Sequence, residues 1–182
     1  MSKVIIGAVM SLDGFINDAT GSVGRLYPDM EAMRRSELLQ EAIRNTGAVL
    51  MGRRAYDMAN GDLTGYEFQV PIFVLTHQAP AQVAKGGLRI TFVNDEIGNA
   101  LAEAKAAAGQ RDVMVVGGAQ TNQQIINARL FDELHLDIVP VIFGAGLRFF
   151  EHLSVQQIEL ERIKVVESPD STHLRFRLGK EK

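Results

Sequence analysis

Three places in the sequence join a short apolar run to residues that bind phosphate or sugar oxygens. "AVLMG" runs into "RRAYD", so Gly52, Arg53 and Arg54 fall at a strand-to-helix turn. A glycine there lets backbone approach a ligand, and the following amides and guanidinium forks suit a phosphate. "IFVLTH" closes on Thr76 and His77, short polar groups able to meet a ribose or phosphate oxygen. "VMVV" ends at Gly117 and Gly118 and then turns polar through Ala119, Gln120 and Thr121, presenting free amides and a hydroxyl at a helix start. Adjacent glycines at a strand mouth either form a tight turn or leave clearance for a ligand. Each feature singly has a plainer reading: a turn, a solvated arginine pair, a strand end. Together, at the carboxyl ends of strands in an open α/β sheet, they suggest a nucleotide whose phosphates span the sheet.

Other chemistries are absent by residue type. The chain has no cysteine, which excludes disulfides and thiol-based sites. His77, His135, His152 and His173 show no metal-ligand spacing, so no metal is expected. There is no G-x-S-x-G elbow, no Walker lysine, and no G-x-G-x-x-G after the first strand, and Gly144-Ala145-Gly146 lacks the third glycine. A dinucleotide, if bound, is held by a scaffold other than the Rossmann one. A formal net charge of -3 gives no basic footprint and argues against nucleic acid. The N-terminal apolar run is too short for a signal peptide or membrane span, so a cytoplasmic protein is expected. Candidate proton donors are Asp13, Asp29, Glu31 and Glu37, with Tyr27 and Tyr56 as candidate pocket walls. For Asp13 a turn role after the first strand is the plainer alternative.

These residues need a frame. At 182 residues and 46% hydrophobic, the chain can bury the core of one soluble domain. "VIIGAVM" from Val4 is apolar on both faces, as a central strand is, and a glycine-rich polar loop follows it. Met33, Leu38, Ala42 and Ile43 make an imperfect helical stripe between Met30 and Arg44. "LRITFV" reads as a strand, and Ile97, Leu101, Ala104 and Ala108 as a helix with Asp95 and Glu96 in its first turn and Gly109 closing it. A short helix runs through Ile125 and Ile126, and "ELHLDIVP" turns Leu134, Leu136 and Ile138 inward against His135 and Asp137. "IELERIKVVE" and "HLRFRL" form an antiparallel pair around "SPDS". Strands alternating with helices predict an α/β domain with a largely parallel sheet over residues 1–182.

The order of "SLDGFI", "VLMGRRAYD", "VVGGAQ" and "FDELHLDIVPVIFGAGLRFF" resembles the dihydrofolate reductase-like superfamily. Within it, the chain is similar to small stand-alone proteins related to the C-terminal reductase domain of bifunctional riboflavin-pathway deaminase-reductases. The resemblance implies a mixed, mostly parallel sheet of about eight strands flanked by helices, with an antiparallel C-terminal hairpin. It implies NADPH as cofactor, with phosphates and adenosine ribose at Gly52, Arg53, Arg54, Thr76 and His77. The pyrophosphate and nicotinamide side falls to Ala8, Gly117, Gly118, Ala119, Gln120 and Thr121, with a cis peptide between the two glycines. The catalytic acids expected for such an activity are Asp13 and Glu37, candidates by residue type and place in the loop and first helix. The implied activity is NADPH-dependent reduction of a pyrimidine- or pteridine-like molecule, most like 5-amino-6-(5-phosphoribosylamino)uracil reductase. Dihydrofolate reduction and a non-catalytic NADPH-binding role remain the alternatives. Three positions depart from the patterns: Ser36 replaces the folate-binding acid, and Phe15 and Val116 replace a lysine and an acid of the riboflavin-type reductases. A homodimer is expected, with Phe143, Leu147, Phe149 and Phe150 as the candidate surface.

Overall fold

In the computed structural model, which describes residues 2–154 and 157–179, eight strands form one mixed sheet. The elements run β1 (Val4–Ser11), α1 (Met30–Arg35), α2 (Glu37–Asn45), β2 (Thr46–Gly52), α3 (Arg53–Asp57), β3 (Ile72–Leu75) and β4 (Ile90–Val93). They continue with α4 (Ile97–Ala108), β5 (Asp112–Val115), α5 (Ala119–Asn127), β6 (Glu133–Val139), β7 (Leu160–Glu167) and β8 (Thr172–Leu178). Strand order is β4-β3-β2-β5-β1-β6-β8-β7. The pairs from β4 through β6 are parallel, and β8 runs antiparallel to both β6 and β7. This is the mixed, mostly parallel sheet with an antiparallel hairpin that the sequence predicts.

The wholly apolar runs lie where both faces are covered. β2 is buried at every position. Its side chains alternate between two cores, as period-2 geometry requires. Leu50 joins Ile6, Val113, Val115 and Leu134 under Leu101 and Ala104 of α4 and Ile125 of α5. Val49 and Met51 face the other way, with Ile5 and Met114, against Leu39, Ala42 and Ile43 of α2. Both helical layers therefore press on the central strands β2, β5 and β1 and fix where their carboxyl ends emerge.

Three expectations change. The single helix read from Met30 to Arg44 is two, broken at Ser36, whose extended backbone (φ -64°, ψ 137°) ends α1 and starts α2. Ser36 serves both ends: its N–H donates to the Met33 carbonyl, and its hydroxyl accepts from the Leu39 amide at 3.3 Å. Asp95 and Glu96 precede α4 instead of occupying its first turn, and Asp95 accepts from the Glu96 amide and the Asn99 side chain. Gly109 closes that helix at positive φ, as expected. Finally, Phe149 is unavailable to a partner subunit. It is 0% exposed inside the α4–α5 core, whereas Ile142 and Phe150 are 71% and 44% exposed.

Truncating a fully buried aromatic removes its transfer energy and leaves a cavity. Phe149→Ala is expected to cost about 3–5 kcal/mol in urea denaturation; a loss below about 1 kcal/mol would contradict its place in the core.

Candidate functional site

The carboxyl ends of β2, β5 and β3 meet at one rim of the sheet. The Gly52 amide donates to the Gly117 carbonyl at 2.6 Å, and the Val116 amide to the Leu50 carbonyl at 3.1 Å. A Cβ on Gly52 would collide with the Thr121 hydroxyl and press on the Gly118 nitrogen, so only glycine allows this closeness. Thr121 is thereby buried against the strand end and is not presented outward. The peptide between Gly117 and Gly118 is cis, as the resemblance implies, and Gly117 has a φ of +111°. Gly118 differs: its φ is an ordinary -69°, and nothing lies within 4 Å of where its Cβ would stand. The space in front of Gly118 is open, and the first amides of α5 beside it have neither an intrahelical acceptor nor a side-chain cap. Ala8 lies alongside, because β1 loses its β5 partner after Ile6–Val115 while Ala8 stays paired with Leu136 of β6.

The cationic side is more selective than the sequence suggests. Two of Arg53's donors are already engaged, Nε with Asp57 at 2.8 Å and a terminal nitrogen with the Gln78 carbonyl at 2.7 Å. Thr76 donates to that same carbonyl at 2.9 Å. These bonds tie α3 to the turn after β3. Arg54 and His77 are exposed, with no side-chain hydrogen bond or ion pair to a described residue. The free guanidinium at this rim is Arg54.

None of the four carboxylates is placed as a proton donor. Asp13 accepts from the Ser11 hydroxyl at 2.6 Å and from the Gly144 and Phe143 amides at 2.8 and 3.1 Å. Those bonds, the Ser11 hydroxyl first, lower its pKa to about 2. Asp13 is an ionised structural anchor. Glu37 is exposed on α2 and pairs with Arg44, its neighbour across two helical turns. Asp29 caps α1 by accepting from the Ala32 amide, and Glu31 is exposed near Arg35. Tyr56 is no pocket wall either, since it is buried edge-on to Phe92 and accepts from the Ala84 amide.

What Asp13 anchors is the loop after β1. Leu12 and Ile16 donate backbone bonds to Val141 and Leu147, Phe149 donates to Gly14, and the Asn17 side chain accepts from Leu147. Arg148 lies 4.4 Å above the Phe15 ring. Sequence reasoning missed Asn17 and Arg148, because their partners are remote in the chain, and it also missed Ser11, whose partners Asp13 and Phe15 are close by. At the opposite end of the sheet a shallow groove beside Lys3, Asp132 and Glu133 has its polar groups paired internally, Lys3 with Glu133 at 2.8 Å. The rim is the better site.

Residues 2–174 match the family of RibD C-terminal domains. This chain belongs to that family. The uncharacterized protein YwjB of Bacillus subtilis (strain 168) is 22% identical over 152 residues, 84% of each chain. Among solved structures, a candidate riboflavin biosynthesis protein of Shewanella sp. PV-4 superposes with a TM-score of 0.84 at 20% identity, covering 98% of this chain and 99% of that one. The dihydrofolate reductase of Enterococcus faecalis, complexed with NADP(H), gives a TM-score of 0.64 at 16% identity over 98% and 97% of the two chains. The fold is therefore dihydrofolate reductase-like. Among the described residues no group of histidines and acids could hold a metal, and no helix is long and apolar enough to cross a membrane.

The lowered pKa of Asp13 has a sign that can be tested. A carboxyl whose folded pKa lies below its unfolded value adds stability at pH above about 4 and loses it as pH falls toward about 2. Asp13→Asn is expected to be less stable at pH 7 and to show a flatter fall in denaturation midpoint between pH 4 and 2. Parallel wild-type and variant curves would contradict the anchor.

Proposed function

We propose that this RibD C-terminal domain protein is an NADPH-dependent reductase of a pyrimidine- or pteridine-like small molecule, on the riboflavin-type side of its family. The observation that carries the reading is the open space before Gly118, flanked by uncapped α5 amides and an unpaired Arg54. A glycine with ordinary φ and no neighbour is not required by packing, so clearance for a ligand explains it. Gly118, Ala119 and Gln120 would hold the pyrophosphate, Ala8 and Gly117 would border the nicotinamide, and Arg54, Thr76 and His77 would meet the adenosine phosphate and ribose. Gly52 and Thr121 would build the turn from behind. When bound, NADPH supplies the hydride, and the chain's share is orientation and charge placement.

The accompanying proton comes from water in this reading, because Asp13 is ionised and Glu37 lies on an exposed helix face. Ser36, spent on capping two helices, disfavours dihydrofolate as substrate. A homodimer is part of the proposal. Ile142 and Phe150, with Leu160, Ile163 and Val165 on the uncovered edge strand β7, supply an exposed apolar surface.

Calorimetric titration with NADPH tests the core of this reading, and absence of binding would end it. Arg54→Ala is expected to weaken NADPH by about tenfold and NADH much less, with Arg53→Ala the milder change. Gly118→Ala, which fills the clearance, is expected to weaken both cofactors by at least about tenfold while the apo protein still melts cooperatively.

A further inference from the structure

The segment after α3 makes a turn that few residue types accept without strain. Asn60 has a φ of 49° and Gly61 a φ of 77°. The Asp62 amide closes the turn on the Ala59 carbonyl at 2.9 Å. Successive central residues at positive φ favour asparagine followed by glycine, since most side chains are strained there. The fold therefore sets a thermolabile asparagine before the one residue that leaves the next backbone nitrogen bare.

The groups that would react are unoccupied. Asn60 and Gly61 are both exposed. The Asn60 carboxamide makes no hydrogen bond to a described residue, and the Gly61 N–H donates to none. Outside the adjoining residues, no atom lies within 4 Å of where a Gly61 Cβ would stand, so nothing obstructs rotation there. The other asparagines lack this freedom. The side chains of Asn17, Asn99 and Asn127 are hydrogen-bonded, and Asn122 is 2% exposed within α5. Asn45 ends α2 before the β-branched Thr46. Asn94 is exposed, but Asp95 after it carries a side chain over the nitrogen that glycine leaves bare.

We propose that Asn60–Gly61 is a self-modification site of this chain. The Gly61 nitrogen gives its proton to hydroxide and bonds to Cγ of Asn60. The Cγ–Nδ2 bond breaks, the departing nitrogen takes a proton from water, and ammonia leaves a succinimide ring behind. Water then adds to either imide carbonyl, and the ring opens to aspartate or to isoaspartate. No electron is transferred: water is consumed, ammonia is released, and a carboxamide becomes a carboxylate. The reaction needs no cofactor and is independent of the reductase reading.

The two products differ in what they do to the fold. Aspartate adds an exposed charge and accepts the same turn. Isoaspartate routes the main chain through the side-chain carbons and so lengthens it. Just downstream, the Gly61 carbonyl accepts from the Lys85 amide at 2.9 Å, and the Leu63 amide donates to the Lys85 carbonyl at 2.7 Å. Gly86 lies so close that a Cβ on it would stand 2.7 Å from the Leu63 carbonyl carbon. Leu63 is itself buried with Tyr56, Phe68 and Val74. A segment packed this tightly has no slack for an added main-chain atom, so the isoaspartyl chain is the less stable product.

The test ages the full chain at mildly alkaline pH in water enriched in oxygen-18, folded and, in parallel, unfolded in urea. Peptide mass spectrometry reads every asparagine. Asn60 is expected to take up the heavy oxygen first, at a folded rate within about tenfold of the unfolded one. A methyltransferase specific for isoaspartyl residues is expected to label the aged chain and not the fresh one. The isoaspartyl fraction, separated by ion exchange, is expected to melt several degrees below the wild type, whereas fresh Asn60→Asp melts with it. A folded Asn60 that stays intact while the unfolded chain reacts, Asn94 reacting first, or an isoaspartyl fraction as stable as the wild type would each overturn the proposal.

Discussion

The site depends on how closely β2 and the turn after β5 approach each other. The Gly52 amide reaches the Gly117 carbonyl at 2.6 Å, and the Thr121 side chain fills the volume that a Cβ on Gly52 would need. Parallel pairing of β2 with β5 brings the two strands out of the sheet together, and α5 starts at once from Gly118. A side chain at 52 would push that helix start away from the sheet. The consequence is a helix N-terminus pinned over the strand ends, with its amides directed at the rim and unfilled space before Gly118. A Rossmann turn reaches a comparable result after the first strand with three spaced glycines. Here the glycines are split between two strands distant in sequence, and the hydrogen bond between them does the positioning.

A second constraint fixes the other wall. The loop after β1 and the segment after β6 are stitched together by Asp13, Asn17 and a run of backbone bonds, with Arg148 stacked on Phe15. The expected lysine and acid are absent at positions 15 and 116, and the structure shows what stands at one of them. Phe15 is a buried ring that fastens Arg148 over the loop. A carboxylate accepting three hydrogen bonds is poorly suited to give up or take a proton, so Asp13 trades chemistry for rigidity.

Legibility in the sequence follows the range of the interactions. Strand ends at Gly52, Thr76 and Gly117 could be read because an apolar run and its terminating residues are adjacent in the chain. The Met30–Arg44 stripe could also have been split, because Met33 and Leu38 are five apart and no helix face repeats at five. The roles of Asp13 and Arg53 could not be read. Their residue types suit catalysis and phosphate binding, but their partners, Phe143 and Gly144 for one and Gln78 for the other, are brought near only by the fold. Asp137 was visible only as the polar member of an alternating strand. Nothing local in "ELHLDIVP" tells that Arg175 and His173 will both press on one of its oxygens.

The two halves of the sheet thus divide the work. The rim over β2, β5 and β3 has clearance, free amides and a spare guanidinium, which suit an extended polyanion and offer little to a small neutral ring. The half-face over β1, β6 and β8 carries a half-buried carboxylate instead, Asp137, with the Arg175 guanidinium 2.7 Å and the His173 ring 2.8 Å from one of its oxygens, and such a charge would repel a phosphate. The first helix uses Ser36 to break and restart, and the carboxylate on β6 is held below its usual pKa range by its hydrogen-bonded neighbours despite its burial.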